Sequence, residues 1–513
     1  MTARTTLIAL AASFAFTLTL SAQTTEPPPA TPPAEASAAP ASTATTATAV
    51  PTAQATPTAP AAAPVASSFA IPFDIELGYR FLDVTGNQEM YRSQINERSG
   101  FLLRSFNFAT TDFGGHTTLV DNFRLDMSDV GIGPASAIRL EAGRAQDYRL
   151  RVSYDRREQF SALPAFANPL LGAGVIPGQH TIDRVRTMFS AELELLPGRL
   201  FTPIIGYERN RYDGPGQTTY TVGADEFRLR SDLKDTDQEF RVGVGFHTDA
   251  VSGQIIQGWR RFRENETLTL APGAEGGNRS NPVLGIDPSL ITFQRTDESI
   301  TTTPVTSAFV VGRIGPIVRL VGSYYRAKLS DDSSEQEDLT GRLVSFPLSR
   351  FFTGLSENIS SRAELTQWKG SARVEVSILP GLDATAGFVK QHRELEGYEL
   401  VSSLFLGTTT FVGGDPKDIQ RLIEANTSLE RTEKTFEARI VARAFGPFSA
   451  RLGWSRTDQD VTLTPDPTEI VVPGSQGGNF ERHIDTYEGG VGFTEKTLGL
   501  TLGADARRER ADV

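Results

Sequence analysis

Histidine and cysteine, which most often carry acid–base, nucleophilic or metal chemistry, are scarce in this chain. Cysteine is absent, which excludes disulfides, thiolate metal sites and covalent haem attachment. The five histidines have no HxxxH or HxH spacing and stand at His116, His180, His247, His392 and His483. No GxSxG, no P-loop and no GxGxxG opening a helix is present. The sequence therefore predicts neither an enzyme nor a cofactor or metal bound by this chain's own residues.

Two weaker patterns resemble a catalytic site and a cation site, but neither is complete enough to predict one. His247 and Ser252 flank a predicted turn and imitate a hydrolytic Ser/His pair, without a third member. The acidic stretch 331–338 offers carboxylate oxygens, which hard cations prefer as ligands. A solvated loop is the simpler interpretation of that stretch.

Apolar and polar residues alternate along most of the chain. In the first such segment Phe73, Ile75, Leu77, Tyr79 and Phe81 occupy every second position. The same pattern recurs at 123–127, 148–154, 189–195 and 436–442. A period of two residues is typical of β-strands, and no helical period of comparable strength competes with it. The chain is therefore predicted to be all-β.

Charges of both signs occupy the polar positions of these strands. The clearest examples are Arg124, Asp126, Arg149, Arg151, Glu192, Glu194, Arg373, Glu375, Glu437 and Arg439. In lipid each would cost about 2–4 kcal/mol at the bilayer midplane, so they are predicted to face an enclosed polar lumen. Mixed signs suit cross-strand ion pairs or a surface that grips another protein, whereas an ion filter would need one sign.

The connections between strands are of two kinds. Tight turns containing Pro and Gly occur at 196–198, 314–316, 379–381 and 445–447, while long polar stretches cover 331–358 and 401–426. Short turns at one end and long loops at the other are typical of outer-membrane proteins, and a soluble β-sandwich lacks that regularity. The predicted fold is an antiparallel transmembrane β-barrel with short periplasmic turns and long outer loops.

A four-residue motif, Gly–aromatic–x–Arg/Lys, follows several turns. Its aromatic and basic members are Tyr207 and Arg209, Trp259 and Arg261, Phe388 and Lys390, and Trp454 and Arg456. At about 3.3 Å per residue, each ring lies some 20 Å from its turn on the apolar side of the strand. The rings are predicted to form the outer aromatic girdle, with the bases at the level of lipid or lipopolysaccharide phosphates.

The pattern predicts about 17–18 strands, of which seventeen have clear bounds between residues 73 and 509. Bacterial barrels normally have an even number, because both ends return to the periplasm. The chain ends in Ala511-Asp512-Val513 rather than in an aromatic-capped strand. A missed strand and a truncated sequence are both open, and truncation is the favoured expectation.

The N-terminal region differs from the rest. Residues 1–22 combine Arg4, an apolar stretch and small residues before Gln23, which predicts a signal peptide. Residues 23–68, rich in Ala, Pro and Thr, are predicted to be a disordered periplasmic linker, and 69–513 the barrel. The net charge of −12 argues against nucleic-acid binding. The expected location is the outer membrane of a Gram-negative-type bacterium, reached through the barrel-assembly machinery.

The barrel region resembles large outer-membrane barrels and is similar to the MtrB/PioB-type family associated with decahaem cytochromes. The similarity lies in Gly78-Tyr79-Arg80, the stretch 258–263, the long outer loops and the high strand number. That resemblance implies an insulating sheath around a multihaem cytochrome, whose haems belong to the partner, and it implies no catalytic residues. Three functions follow as hypotheses: a porin-like channel for small solutes, a structural sheath in extracellular electron transfer, and a surface adhesin.

Overall fold

The dominant feature of the computed structural model is one antiparallel sheet of seventeen strands. The structure describes residues 73–111, 120–162, 165–166, 175–176, 180–223, 225–279, 281–445, 447–464, 478–495 and 500–512. The predicted signal peptide and linker lie outside these residues. The one helix within them is too short and too polar to cross a membrane.

The strands take up most of the described residues. The first five are β1 (Phe73–Arg80), β2 (Gly100–Thr111), β3 (Asn122–Gly131), β4 (Ala135–Arg144) and β5 (Tyr148–Ala162). Two short strands, β6 (Ala165–Phe166) and β7 (Val175–Ile176), pair with each other outside the main sheet. The sheet continues with β8 (Thr181–Leu195), β9 (Phe201–Val222), β10 (Asp225–His247), β11 (Val251–Leu270), β12 (Ser289–Ile314), β13 (Val318–Ser345) and β14 (Arg350–Leu379). It ends with β15 (Leu382–Thr410), β16 (Lys417–Phe445), β17 (Phe448–Thr464), β18 (Gly478–Glu495) and β19 (Leu500–Asp512).

Each strand of the main sheet pairs with its neighbour in the chain, and β5 pairs with β8 across the β6–β7 insertion. Within the described ranges, β1 pairs only with β2, and β19 only with β18. The predicted all-β antiparallel fold class is confirmed. All seventeen predicted strands correspond one to one with strands of the main sheet.

The prediction of long polar loops at 331–358 and 401–426 is wrong, because both stretches are mostly strand. β13 continues to Ser345 and β14 starts at Arg350, so their connection is only residues 346–349. Strands β9–β16 run for 20 to 30 residues, whereas about 9–11 residues cross a bilayer. Beyond the bilayer the outer side of a strand contacts water, so the hydrogen-bond ladder between strands can continue without the apolar alternation that marks a membrane strand in the sequence.

We call the end bearing the tight turns the turn end, and the opposite end the distal end.

The two faces of the sheet differ in chemistry. The charged face carries the charged side chains named above, and the apolar face carries residues such as Tyr207 and Trp259. On the charged face, at the distal end, partly buried residues of β9 and β15 pack against an apolar core of nine buried side chains from β10–β14: Phe227, Leu229, Leu268, Leu290, Phe293, Leu339, Leu343, Phe352 and Leu355. The Tyr220 hydroxyl of β9 also donates to Glu337 of β13, four strands away, at 2.6 Å. Contacts between non-adjacent strands require curvature toward them, so the charged face is concave.

A short helix, α1 (Gln88–Gln94), covers an exposed strand edge. β4 begins at Ala135, opposite Arg157 of β5, so the last five residues of β5 have no partner strand on that side. The Ser93 hydroxyl accepts the backbone N–H of Ala162 at 3.0 Å. Arg98 pairs with Glu158. A covered edge cannot template pairing with another chain.

Candidate functional site on the concave face

Each of the ten charged residues named above as facing the lumen lies on the concave face and forms an ion pair. The N···O distances are 2.6 Å for Arg124–Asp126, 3.5 Å for Arg149–Glu194, 3.4 Å for Arg151–Glu192, 3.1 Å for Arg319–Glu375, 2.9 Å for Arg373–Glu437 and 3.3 Å for Arg439–Glu488. These side chains are half-exposed, and such pairs contribute about 0–1 kcal/mol each. Their main effect is to cancel charge along the wall.

Two of these pairs, Arg373–Glu437 and Arg439–Glu488, join strands that are not neighbours. Arg373 of β14 and Glu437 of β16 are both register partners of Gly387 in β15. A methyl group added at Gly387 would lie 2.5 Å from Glu437 Oε1. The missing side chain therefore lets the ion pair pass over the central strand and lie flat against the wall.

The same arrangement recurs around the sheet. A glycine on the concave face separates Glu192 from Arg241 at Gly206, Arg439 from Glu488 at Gly453, and Arg451 from Asp505 at Gly490. The bridging N···O distances are 3.1, 3.3 and 2.9 Å. Gly206, Gly387 and Gly453 open the Gly–aromatic–x–base motif. The sequence alone indicates a role only for the aromatic and the basic residue, because the role of the glycine depends on the register of three strands.

The aromatic members of the motif lie on the apolar face. Tyr207, Phe240 and Trp259 are register partners on three consecutive strands, and the rings of Phe240 and Trp259 stack at 6.1 Å. Phe388 packs on Phe436 with ring centroids 4.7 Å apart. Trp259 remains 49% exposed although it contacts its neighbours. Exposed rings in rows suit contact with a surrounding apolar medium.

The basic members lie on the apolar face two residues farther from the turn end. Arg209 and Arg261 are exposed. Lys390 Nζ lies 5.3 Å above the Trp368 ring, and Arg456 pairs with Asp458 at 3.1 Å. At this level the apolar face changes from hydrophobic to charged residues.

A strand needs about 11 residues to cross a bilayer, so the membrane-spanning segments are taken as the 11 or so residues of each strand nearest its tight turn. The distal part of the concave face, outside these segments, carries buried carboxylates. Burial, together with the nearby carboxylates of Asp235, Glu266, Asp297 and Asp331, raises the pKa of Glu264 to about 7. Glu335 of β13 pairs with Arg295 at 2.9 Å, and burial raises its pKa to about 7 as well. These carboxylates do not form a metal centre, since no group of three or more His, Asp or Glu residues within the described ranges could hold a metal ion.

The histidines stay apart in the fold. His247 is the register partner of Ser252 at the turn end, and no third residue completes a hydrolytic set there among the described residues. His180 contacts Thr219, His392 contacts Thr432, and His483 contacts Asp458. His116 lies outside the described residues.

Two cavities lie in series against the concave face. The larger, about 730 Å³, lies between α1 and the wall, and its lining includes Arg157, Arg186, Tyr212 and Asp235. The next, about 430 Å³, is lined mainly by polar and charged residues of β5 and β8–β11. Asn210 and Asp237, which are register partners on β9 and β10, line both cavities. The sequence offered no signal for this path, because it depends on α1 and on strand extensions that were not predicted.

No protein-family model and no curated protein sequence matches the chain. Similar solved structures include the ferric yersiniabactin uptake receptor FyuA from Yersinia pestis, with a TM-score of 0.35, 11% identity, and coverage of 76% of this chain and 59% of that chain. The unliganded ferric citrate transporter FecA has a TM-score of 0.28, 8% identity, and coverage of 79% and 73%. The closed form of the ferric-catecholate import receptor Fiu from K12 E. coli has a TM-score of 0.27, 10% identity, and coverage of 80% and 76%. The chain thus spans less than two thirds of the yersiniabactin receptor. Its function is inferred from its own residues.

Proposed function

We propose that the chain is an outer-membrane channel for small polar solutes. The two cavities carry this proposal, because they share lining residues and so lie next to each other along the concave face. Asn210 and Asp237 form the junction between them. A path lined by charged and polar groups can replace part of a solute's hydration shell.

The flat ion pairs support the same function. Because Arg373 and Glu437 meet over Gly387, their side chains lie along the wall instead of projecting from it. Charge that is cancelled locally leaves no single-sign barrier to a passing solute. A wall of this kind favours weakly selective passage.

The opposite face supports a membrane location. Exposed Leu452, Ile440 and Leu320 occupy the apolar face near the turn end, where lipid is the favourable contact. The aromatic rows come next, followed by Arg209, Arg261, Lys390 and Arg456, whose long side chains can extend to the lipid phosphates from the outer part of the apolar band. In this orientation the turn end is periplasmic and the distal end is external.

Conductance across planar bilayers tests the function. The folded, purified chain is expected to give discrete current steps in potassium chloride. A bulky residue at the junction, Asn210→Trp, should reduce the step size severalfold. The matched control is Gln238→Trp, which places the same ring beside Asp237 but on the apolar face, and its steps should equal those of the wild type. Folded protein that inserts without conducting would contradict a channel and favour the sheath.

A further inference from the structure

The larger cavity contains two arginines whose charges the surrounding structure does not compensate. Arg157 of β5 and Arg186 of β8 are directly opposed register partners on the concave face. Within the part of the chain that the structure describes, neither contacts a carboxylate, and Arg186 Nε donates only to the amide oxygen of Asn210 at 3.1 Å. Like charges placed directly opposite each other are destabilising. An anionic group bound between the two guanidinium groups would remove this repulsion.

The opposite charge lies in the same cavity. Tyr212 of β9 is the register partner of both Arg186 and Asp235, so Arg186, Tyr212 and Asp235 form one row across three strands. Asp235 Oδ1 is buried, and no hydrogen-bond donor reaches it among the described residues. A buried carboxylate oxygen without a donor is costly, and a bound ammonium group would supply one.

The other charged groups of the cavity are already paired. Arg92 contacts Asp183 at 3.1 Å. Asp237 accepts a hydrogen bond from Arg260 Nε at 2.8 Å. Glu158 contacts both Arg98 and Arg156. Among these charges, the cationic pair Arg157–Arg186 and the anionic Asp235 remain for a ligand.

We propose that this cavity binds short zwitterionic peptides. The peptide carboxylate contacts Arg157 and Arg186, the α-ammonium group donates to Asp235, and Tyr212 and Phe262 line the space between. This assignment rests on the proposed channel function, since it names the solute that enters the same path.

The spacing sets the length of the peptide. Arg186 and Asp235 are two strand positions apart, which is about 10 Å. An extended chain spans about 3.3–3.6 Å per residue, so a tripeptide places its terminal charges at this separation. A free amino acid carries both charges on one carbon atom and cannot reach both ends. The cavity of about 730 Å³ is within the usual range for a small-ligand site.

Calorimetric titration of the folded full-length chain tests the assignment. Triglycine is the probe, and N-acetyl-triglycine and triglycinamide each lack one terminal charge. We expect triglycine to bind and each blocked peptide to bind at least about tenfold more weakly, because each loses a charge-assisted hydrogen bond. Equal binding of all three peptides, or no binding of triglycine, would overturn the assignment. This comparison needs no variant and is unaffected by folding defects.

Variants locate the site. Arg186→Gln and Asp235→Asn should each weaken triglycine binding about tenfold. The controls are Arg342→Gln, at an exposed position outside the cavity, and Asp232→Asn, on the opposite face of the same strand as Asp235, and both should bind like the wild type. Unchanged affinity in folded Arg186→Gln and Asp235→Asn would overturn the site. If the chain conducts but binds triglycine and the two blocked peptides equally, only this assignment is contradicted. A chain that binds triglycine as described without conducting supports the site and contradicts only the channel.

Discussion

Gly387 is the residue whose missing side chain has the clearest structural consequence. Replacing it with valine forces Glu437 away from Arg373, because the added Cβ would lie 2.5 Å from the Glu437 carboxylate. We expect Gly387→Val to lower the free energy of unfolding by about 1–2 kcal/mol, from the lost pair and the steric strain. Urea unfolding followed by tryptophan fluorescence measures this.

The control for that substitution is Gly370→Val. No neighbouring heavy atom lies within 4 Å of a Cβ built at Gly370, so its stability should not fall. An equal loss in both variants would mean that strand glycines matter here only for backbone freedom, and the bridging role of Gly387 would be wrong.

Glu264 gives a pH dependence whose sign follows from its surroundings. Burial comes first, and four carboxylates, Asp235, Glu266, Asp297 and Asp331, add to it, so the pKa of Glu264 rises from 4.5 to about 7. A carboxyl with a raised pKa binds its proton more tightly in the folded chain, so stability falls as pH rises from about 4.5 through 7. Glu264→Gln should therefore raise the urea midpoint at pH 8 and leave it nearly unchanged at pH 4, below the unfolded pKa.

The matched control for that pH prediction is Glu424→Gln, at an exposed position of β16. Its midpoint should follow the wild type at both pH values. If Glu264→Gln lowered the midpoint at pH 8, Glu264 would have to be stabilised by a cation, and the carboxylate cluster would need another interpretation.

At the scale of elements, the distal apolar core gives the extended strands a reason to remain folded outside the membrane. Phe227 is fully buried in it, and truncating a buried phenylalanine typically costs about 3–5 kcal/mol. We expect Phe227→Ala to loosen the distal ends of β9–β15 while their membrane-spanning parts stay intact. Hydrogen–deuterium exchange should rise at 217–233 and stay unchanged at 237–247.

Leu422→Ala is the control for the core, since Leu422 is 65% exposed, and its exchange pattern should match the wild type. Exchange that rises along the whole of β10 would show that the core stabilises the entire sheet and not its distal part alone.

The elements differ in how far the sequence predicts them. Within the bilayer one strand face meets lipid and the other meets polar groups, so alternation marks all seventeen strands of the main sheet. Farther out, the signal is weaker but present: Phe227 and Leu229 alternate with Arg228 and Arg230, in a stretch that was not predicted as strand. The seven-residue helix α1 has too few turns to show a helical period.

The candidate site was predictable only in its parts. Inward charges were identifiable because lipid excludes them, yet their partners required the register. Arg157, Arg186 and Asp235 lie far apart in sequence and meet only through the register of β5, β8, β9 and β10. None carries a motif that would single it out.

At the scale of the whole molecule, the sheet is asymmetric. The distal apolar core fills the concave side of β9–β15, whereas the larger cavity opens beside α1, against β5 and β8–β11. In the proposed channel, a solute that enters at the distal end is therefore expected to pass along the wall that carries Arg157, Arg186 and Asp235. Strand length follows the same division, since β1–β5 have 8 to 15 residues and β9–β16 have 20 to 30.

The proposed position in the membrane can be measured with the three tryptophans, Trp259, Trp368 and Trp454, all of which lie on the apolar face. Trp454 follows the turn residue Pro447 by seven positions, Trp259 follows Ala250 by nine, and Trp368 precedes Pro380 by twelve. With about 3.3 Å per residue and a tilt of about 45°, these are heights of about 16, 21 and 28 Å above the turns. The apolar band is about 25 Å tall, so the first two rings lie within it and Trp368 lies at its outer edge.

Quenching by lipids brominated on their acyl chains should follow those heights. In variants that keep one tryptophan and replace the other two with phenylalanine, we expect quenching to decrease from Trp454 to Trp259 to Trp368. Lys390, 5.3 Å above the Trp368 ring, should weaken quenching there further, because its ammonium group keeps polar headgroups nearby. Strong quenching of Trp368 with none of Trp454 would place the apolar band farther from the turn end and contradict the proposed position. If none of the three were quenched, the apolar face could not be the one that contacts lipid.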